Sequence, residues 1–369
     1  MVLSKEIQQA WFKLSLFPHF GPARLMRIYS RCPDPQLLFG PEARPVLEQA
    51  HIENALIEQF LSIQHDPSWQ ARWRTIEDEH ISITVFGSAT YPPLLSTIAH
   101  PPVVLFHRGP LEQPWQNMIA VVGTRSLSPY GRAITPLLVG QIATRGVGVV
   151  SGLAFGIDAL SHQAALEANG PTVAVIASGV DRASIFPSAH SMLAERIVDC
   201  GGCVMSEFPP GTMPLKHYFP MRNRIIAGLV RATLVIEADT QSGALITARS
   251  ALEENRDVFA VPGPITTQTS AGTNALIRLG AHCVTNANDL LDDLELSTVR
   301  TAIVPRRPQY ADINTQERSL LDHLTAEPME IDTIIRASGL PATDVLSTLS
   351  LMELKGWVRS VGPSLFVKV

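Results

Sequence analysis

Apolar positions recur along this chain in two alternating rhythms. In the central part, short apolar runs that break on glycine or small hydroxyl residues alternate with stretches of helical spacing. The runs predict strands at 119–122, 147–150, 172–176, 203–206, 232–236, 257–261 and 281–284, and the intervening stretches, such as 157–169 and 243–255, predict helices. Regular strand–helix alternation is what a parallel-rich, doubly wound α/β sheet requires. Ahead of it, 81–86, 91–95 and 101–106 are β-rich runs fenced by proline, which suit edge strands or a linking arm added to the main sheet.

The two ends follow the helical rhythm. From Trp11 to about Leu61 the pattern is helical, with Trp11, Leu14 and Phe17 before a Pro18–Pro22 turn and Leu25, Ile28 and Tyr29 after it. Two short helices around a glycine turn suit a helix-hairpin-helix or SAM-like module that holds a DNA phosphate, or a plain helical bundle. Only Arg24, Arg27 and Arg31 are near, which favours the bundle. After residue 289 the pattern frays through a Pro- and Arg-containing linker. Three helical stretches (315–324, 331–337, 342–355) and a β-hairpin then predict a winged helix. The expected domains are 1–75 (helical), 80–295 (extended Rossmann-like), 296–310 (linker) and 311–369 (winged helix).

Composition narrows the partners. At 369 residues the chain exceeds one ordinary core, and 46% hydrophobic against 17% charged residues is ample for burial. A net charge of -5 gives no general attraction to polyanions, so any nucleic-acid site is a local patch. The N-terminus lacks the features of a signal peptide and no run is long enough to span a bilayer, so a cytoplasmic protein without membrane contact is expected. Four cysteines fit a reducing compartment, and Cys200-Gly-Gly-Cys203, with no second pair, reads as a helix-to-strand turn rather than a metal or redox site. No metal or cofactor is expected.

The candidate chemistry lies at strand ends. Gly123-Thr124-Arg125 closes the first strand with a permissive turn, a hydroxyl donor and a guanidinium that can bind phosphate bidentately. A second loop, Ser151-Gly152-Leu153-Ala154-Phe155-Gly156-Ile157-Asp158, leads into a helix and joins the first in one expected phosphate crevice. The pattern is not G-x-G-x-x-G, so a dinucleotide site is not expected. The densest basic cluster surrounds Lys216, Tyr218, Phe219, Arg222, Asn223 and Arg224, and cations interleaved with aromatics suit single-stranded nucleic acid. The competing reading for Arg222 and Arg224 is capping or buried pairing with Glu237 or Asp239. Arg125, Lys216, Arg222 and Arg224 are expected to form one electropositive groove.

These motifs, together with Ser206-Glu207-Phe208-Pro209, the Arg222–Gly228 segment, Ser242-Gly243-Ala244-Leu245-Ile246-Thr247-Ala248 and Val261-Pro262-Gly263, closely resemble the bacterial DNA-processing protein A family (DprA, also called Smf). The resemblance spans about 91–290. It implies a non-enzymatic homodimer that binds single-stranded DNA, protects it and loads the RecA recombinase during natural transformation. By the same resemblance the DNA-binding residues are Gly123, Thr124, Arg125, Ser151, Gly152, Gly156, Lys216, Phe219, Arg222, Asn223, Arg224, Ser242 and Thr247. Phe155 departs from the family, which often has a basic or polar residue there. A more distant resemblance to phosphoribohydrolases on the same sheet offers an alternative, but their catalytic Glu has no counterpart between Asp239 and Thr247.

Overall fold

The computed structural model describes residues 4–32, 34–296, 314–324, 329–354, 357–362 and 365–368. The expected linker lies, apart from Leu296, outside the described residues, as do Lys355 and the tip of the C-terminal hairpin. The chain forms two compact units, residues 1–303 and 304–369.

The first unit begins with helices α1 (Lys5–Leu16), α2 (Pro22–Arg31), α3 (Ala43–Gln49), α4 (Asn54–Ile63) and α5 (Trp69–Asp78). Strands β1 (Ser82–Val85) and β2 (Val104–Arg108) precede the α/β series β3 (Met118–Val122), α6 (Pro129–Ala143), β4 (Gly148–Ser151), α7 (Ile157–Glu167), β5 (Thr172–Val175), α8 (Ser191–Asp199) and β6 (Cys203–Ser206). The series continues with α9 (Tyr218–Gly228), β7 (Ala232–Val235), α10 (Gly243–Glu253), β8 (Asp257–Ala260), α11 (Gln268–Arg278), β9 (His282–Cys283) and α12 (Ala287–Asp293).

Among the described residues these strands make one nine-stranded sheet in the order β1-β2-β6-β5-β4-β3-β7-β8-β9. From β6 to β9 every neighbouring pair is parallel, whereas β1–β2 and β2–β6 are antiparallel. After β1 and β2 the chain enters the parallel part of the sheet at β3, winds outward to β6, then returns to place β7 on the other side of β3. Successive side chains of a strand face opposite ways. Ala120 and Val122 therefore meet Ile225, Ile226 and Ala248 of α9 and α10, and Ile119 and Val121 meet Leu138, Ile142 and Ala165 of α6 and α7.

The expected edge arm is present as β1 and β2, but the Tyr91–Leu95 run is not a strand. Pro92 and Pro93 supply no N–H for a ladder. The segment turns instead, with the Tyr91 hydroxyl donating to Pro102 O at 2.7 Å, and Leu95–Thr97 forms a 3-10 turn. All of β2 is buried because the N-terminal helices pack on it: the Phe12 and Phe106 rings meet edge-on at 6.1 Å within one continuous core. Each such fully buried side chain contributes about 1.5–3 kcal/mol. In the bundle, Arg24 holds Glu53 through both carboxylate oxygens (3.2 and 2.9 Å) and Arg27 donates to His51 O at 2.8 Å. Those two cations thus tie α2 to a neighbouring loop. Cys200 follows α8 exposed while Cys203 is buried in β6, so this segment is the expected helix-to-strand turn.

The second unit contains α13 (Thr315–His323), β10 (Met329–Glu330), α14 (Ile331–Ser338), α15 (Ala342–Leu354), β11 (Val358–Gly362) and β12 (Leu365–Lys368), the strands ordered β10-β12-β11. Leu320, Leu321, Ile334, Val345, Leu349 and Met352 form its core, and Asn314 and Glu317 make a reciprocal cap on α13. This is a winged helix. Among the described residues, no helix of the chain is long and apolar enough to cross a membrane.

Candidate nucleic-acid interface

Because β3 and β7 are parallel neighbours from which the chain departs in opposite directions, their following loops diverge and leave a crevice at the carboxyl edge of the sheet. Its volume is about 410 Å³. Thr124 N donates to Glu237 O at 2.7 Å and ties the two loops together at its base. One wall is the Gly123-Thr124-Arg125 turn. The facing wall is the N-terminus of α10, where the Ser242 hydroxyl accepts from Ala244 N at 3.3 Å and Gly243 and Thr247 line the opening. Phe219, Arg222 and Asn223 of α9 close a third side. Unpaired backbone N–H groups and the positive end of the helix dipole make such a wall favourable to an anion.

The second glycine loop stands behind the Arg125 turn, on the same edge because β3 and β4 are parallel. Ile157 N donates to Thr124 O at 3.1 Å, and a side chain on Gly156 (φ 83°) would strike the backbone of Thr124 and Arg125. Gly152 leaves space for the Arg222 guanidinium, which a Cβ there would occupy. Ser151 is buried and donates to Val121 O at 2.6 Å. Ser151, Gly152 and Gly156 thus support the crevice without lining it.

Arg222 is 3% exposed. Its Nη1 donates to Val175 O at 2.6 Å, while Nε has no partner among the described residues. Burial lowers its pKa to about 10, opposed by the charge of Asp158, so it remains cationic at neutral pH. Burial pushes the Asp158 carboxyl above its ordinary range, against the pull of Arg222 and of the Ala154 and Gly152 amides it accepts from (3.4 and 3.1 Å). Arg125, in contrast, is exposed at the mouth, its guanidinium 5.1 Å from the centre of the Phe219 ring.

The expected groove of four cations is therefore corrected. Arg125 and Arg222 line the crevice; Lys216 and Arg224 do not, and Asp158 and Asp239 line it as well. Arg224 pairs with Glu207 and donates to His100 O. Two residues on a helix are about 200° apart, so Arg222 and Arg224 face opposite sides of α9. Buried pairing was the right alternative for Arg224, but with Glu207 as partner. Glu237 instead accepts from the hydroxyls of Ser128 (2.5 Å) and Thr269 (3.1 Å). Lys216 is exposed on the loop ahead of α9.

A model of DNA recombination-mediator protein A matches residues 82–295, the whole sheet, and a model of the DprA winged helix domain matches 304–362. The chain belongs to the DNA recombination-mediator protein A family. Protein Smf of Escherichia coli is 36% identical over 352 residues, covering 92% of each chain. A DprA structure from Streptococcus pneumoniae aligns with a TM-score of 0.67 at 34% identity, over 79% of this chain and 99% of that one. DNA processing protein A from Helicobacter pylori, solved for its single-stranded DNA binding mode, aligns with a TM-score of 0.51 at 26% identity, over 59% and 97%. Within this family fold, sequence reasoning left out Asp158, Asp239, Gly243 and Ser126 as crevice residues. Asp158 was discoverable from its place in the first turn of a helix that follows a glycine loop.

Proposed function

We propose that the protein binds single-stranded DNA at the carboxyl edge of its sheet, protects it, and delivers it to the RecA recombinase as a homodimer. The observation that carries the reading is Arg125 over Phe219 at the mouth of an anion-favouring crevice: one side chain offers charge to a phosphate, the other a face to a base. Membership of a recombination-mediator family and the single-stranded DNA binding of the Helicobacter pylori relative support it. Gly123, Thr124, Asn223, Ser242 and Thr247 would hold phosphate oxygens through N–H and hydroxyl groups, and the exposed Arg125 and Lys216 would supply exchangeable cation contacts. The phosphoribohydrolase alternative has no counterpart for its glutamate, and Asp239 in the corresponding segment accepts from Gln241 N at 2.7 Å.

The test is fluorescence anisotropy of the full chain with oligo-dT, a mixed strand and a duplex across 50–200 mM salt. Each phosphate contact on a single strand contributes a log–log slope of about -0.7, so Arg125 and Lys216 together give about -1.4. A duplex bound as tightly as the strands would sink the reading. Recovery of RecA only when single-stranded DNA is present tests the delivery step, and light scattering at micromolar concentration tests the dimer.

A further inference from the structure

Four adjacent strands of the sheet are each followed, at the same carboxyl edge, by a segment that carries a planar or cationic side chain, three of them loops and the fourth the first turn of α9. Arg125 follows β3, Phe155 follows β4, Phe186 follows β5 and Phe219 follows β6. Phe155 and Phe186 are 49% and 45% exposed, the largest fractions among the described phenylalanines. Ring contacts link these side chains in two groups: Arg125 lies 5.1 Å from the Phe219 centre and Phe219 meets Phe186 edge-on at 6.1 Å, while Phe155 meets His190 edge-on at 4.9 Å.

The Phe155 loop is held open by its surroundings. Leu153 has φ 56°, a left-handed conformation that is costly for a leucine. Asp158 accepts from the amides on both sides of it, Gly152 and Ala154, and His190 Nδ1 donates to Leu153 O at 2.7 Å. Half-exposed Phe155 is thus presented by a braced loop.

We infer that Phe155 and Phe186, with His190 and Phe219, form a platform on which consecutive bases of a single strand stack, extending the DNA track beyond the crevice towards β5. The inference rests on the proposed binding of single-stranded DNA at this edge. Bases are the occupant the observations favour because Phe186 continues directly from the Arg125–Phe219 pair, where phosphate charge is met, because Phe155 follows the strand between those that precede Arg125 and Phe186, and because a base offers a flat apolar face whatever its identity. Neighbouring parallel strands are about 4.8 Å apart, so loops from successive strands can serve successive nucleotides of an extended chain.

The experiment compares two labelled strands of equal length, oligo-dT and an abasic strand with the same phosphates, titrated with the full chain and its variants. The parent is expected to prefer oligo-dT. Phe155→Ala and Phe186→Ala should each weaken oligo-dT binding roughly fivefold or more, the lower end for one stacked base. They should leave abasic binding and the salt slope unchanged, and Phe155→Tyr and Phe186→Tyr should retain parental affinity. Arg125→Ala, by contrast, should weaken both strands and flatten the slope. If the double Ala variant binds oligo-dT like the parent while Arg125→Ala still weakens it, the platform is wrong and the crevice reading stands. If the parent binds neither strand, both fall. A double variant whose only change is a different mass by light scattering would make these rings a protein contact and overturn the inference.

Discussion

The Arg125 guanidinium rests 5.1 Å from the centre of the Phe219 ring, joining the loop after β3 to the start of α9 across the mouth of the crevice. The ring both offers a stacking face and holds the cation in place. Arg125→Ala should therefore weaken binding to all single strands alike and flatten the salt slope by about 0.7. Phe219→Ala should cost affinity with little change of slope. A double-mutant cycle on strand affinity should return a coupling of about 0.5–1 kcal/mol; strict additivity would show that the pair does not act together.

Arg222 is expected to matter first for stability. Removing it takes away the hydrogen bond to Val175 O and the nearby positive charge that offsets the burial of Asp158, so Arg222→Ala should lower the unfolding free energy by about 1–3 kcal/mol in urea titrations. Gly152→Ala forces a methyl against the same guanidinium and should cost about 1–3 kcal/mol by overpacking. A parental urea midpoint for both variants would contradict this account of the loop.

His162 makes stability depend on pH. It is fully buried, with Nδ1 hydrogen-bonded to Thr172 Oγ1 at 2.7 Å, and burial, with His190 and Arg222 adding to it, lowers its pKa to about 3. Unfolded, the ring titrates near 6.5. Between those values the unfolded chain binds the extra proton, so this contribution to stability is complete above about pH 6.5 and is lost as pH falls towards 3. The slope is about 1.4 kcal/mol per pH unit. Unfolding free energies of the parent and His162→Asn from pH 4 to 7 should show the smaller pH dependence in the variant; parallel curves would exclude the effect.

The winged helix is expected to add little to strand binding. Within α15 the charged residues are Asp344 and Glu353, and Leu346 and Leu351 are about half exposed. A helix without Arg or Lys is poorly suited to a major groove and better suited to a protein surface. Deleting residues 311–369 should change oligo-dT affinity by less than tenfold, about 1.4 kcal/mol. A larger loss would assign this unit a direct share in DNA binding.

The alternation of apolar runs with helical spacing was enough to locate the seven parallel strands, because burial of a strand and amphipathicity of a helix are local patterns. Gly123 and Gly156 stood out for the same reason, since turns demand glycine at fixed offsets, whereas Ser242 was singled out by the family resemblance alone. Even the opposed directions of Arg222 and Arg224 follow from helical spacing once α9 is recognised. The partners of the charges required the fold. Arg222 reaches Val175 and is balanced by Asp158, and Arg224 finds Glu207, across sheet and loops remote in sequence. Likewise only parallel strand order brings Phe155, Phe186 and Phe219 to one edge. What a charged or aromatic side chain does depends on its desolvation and on what stands within a few ångströms, and those are set by packing between distant segments.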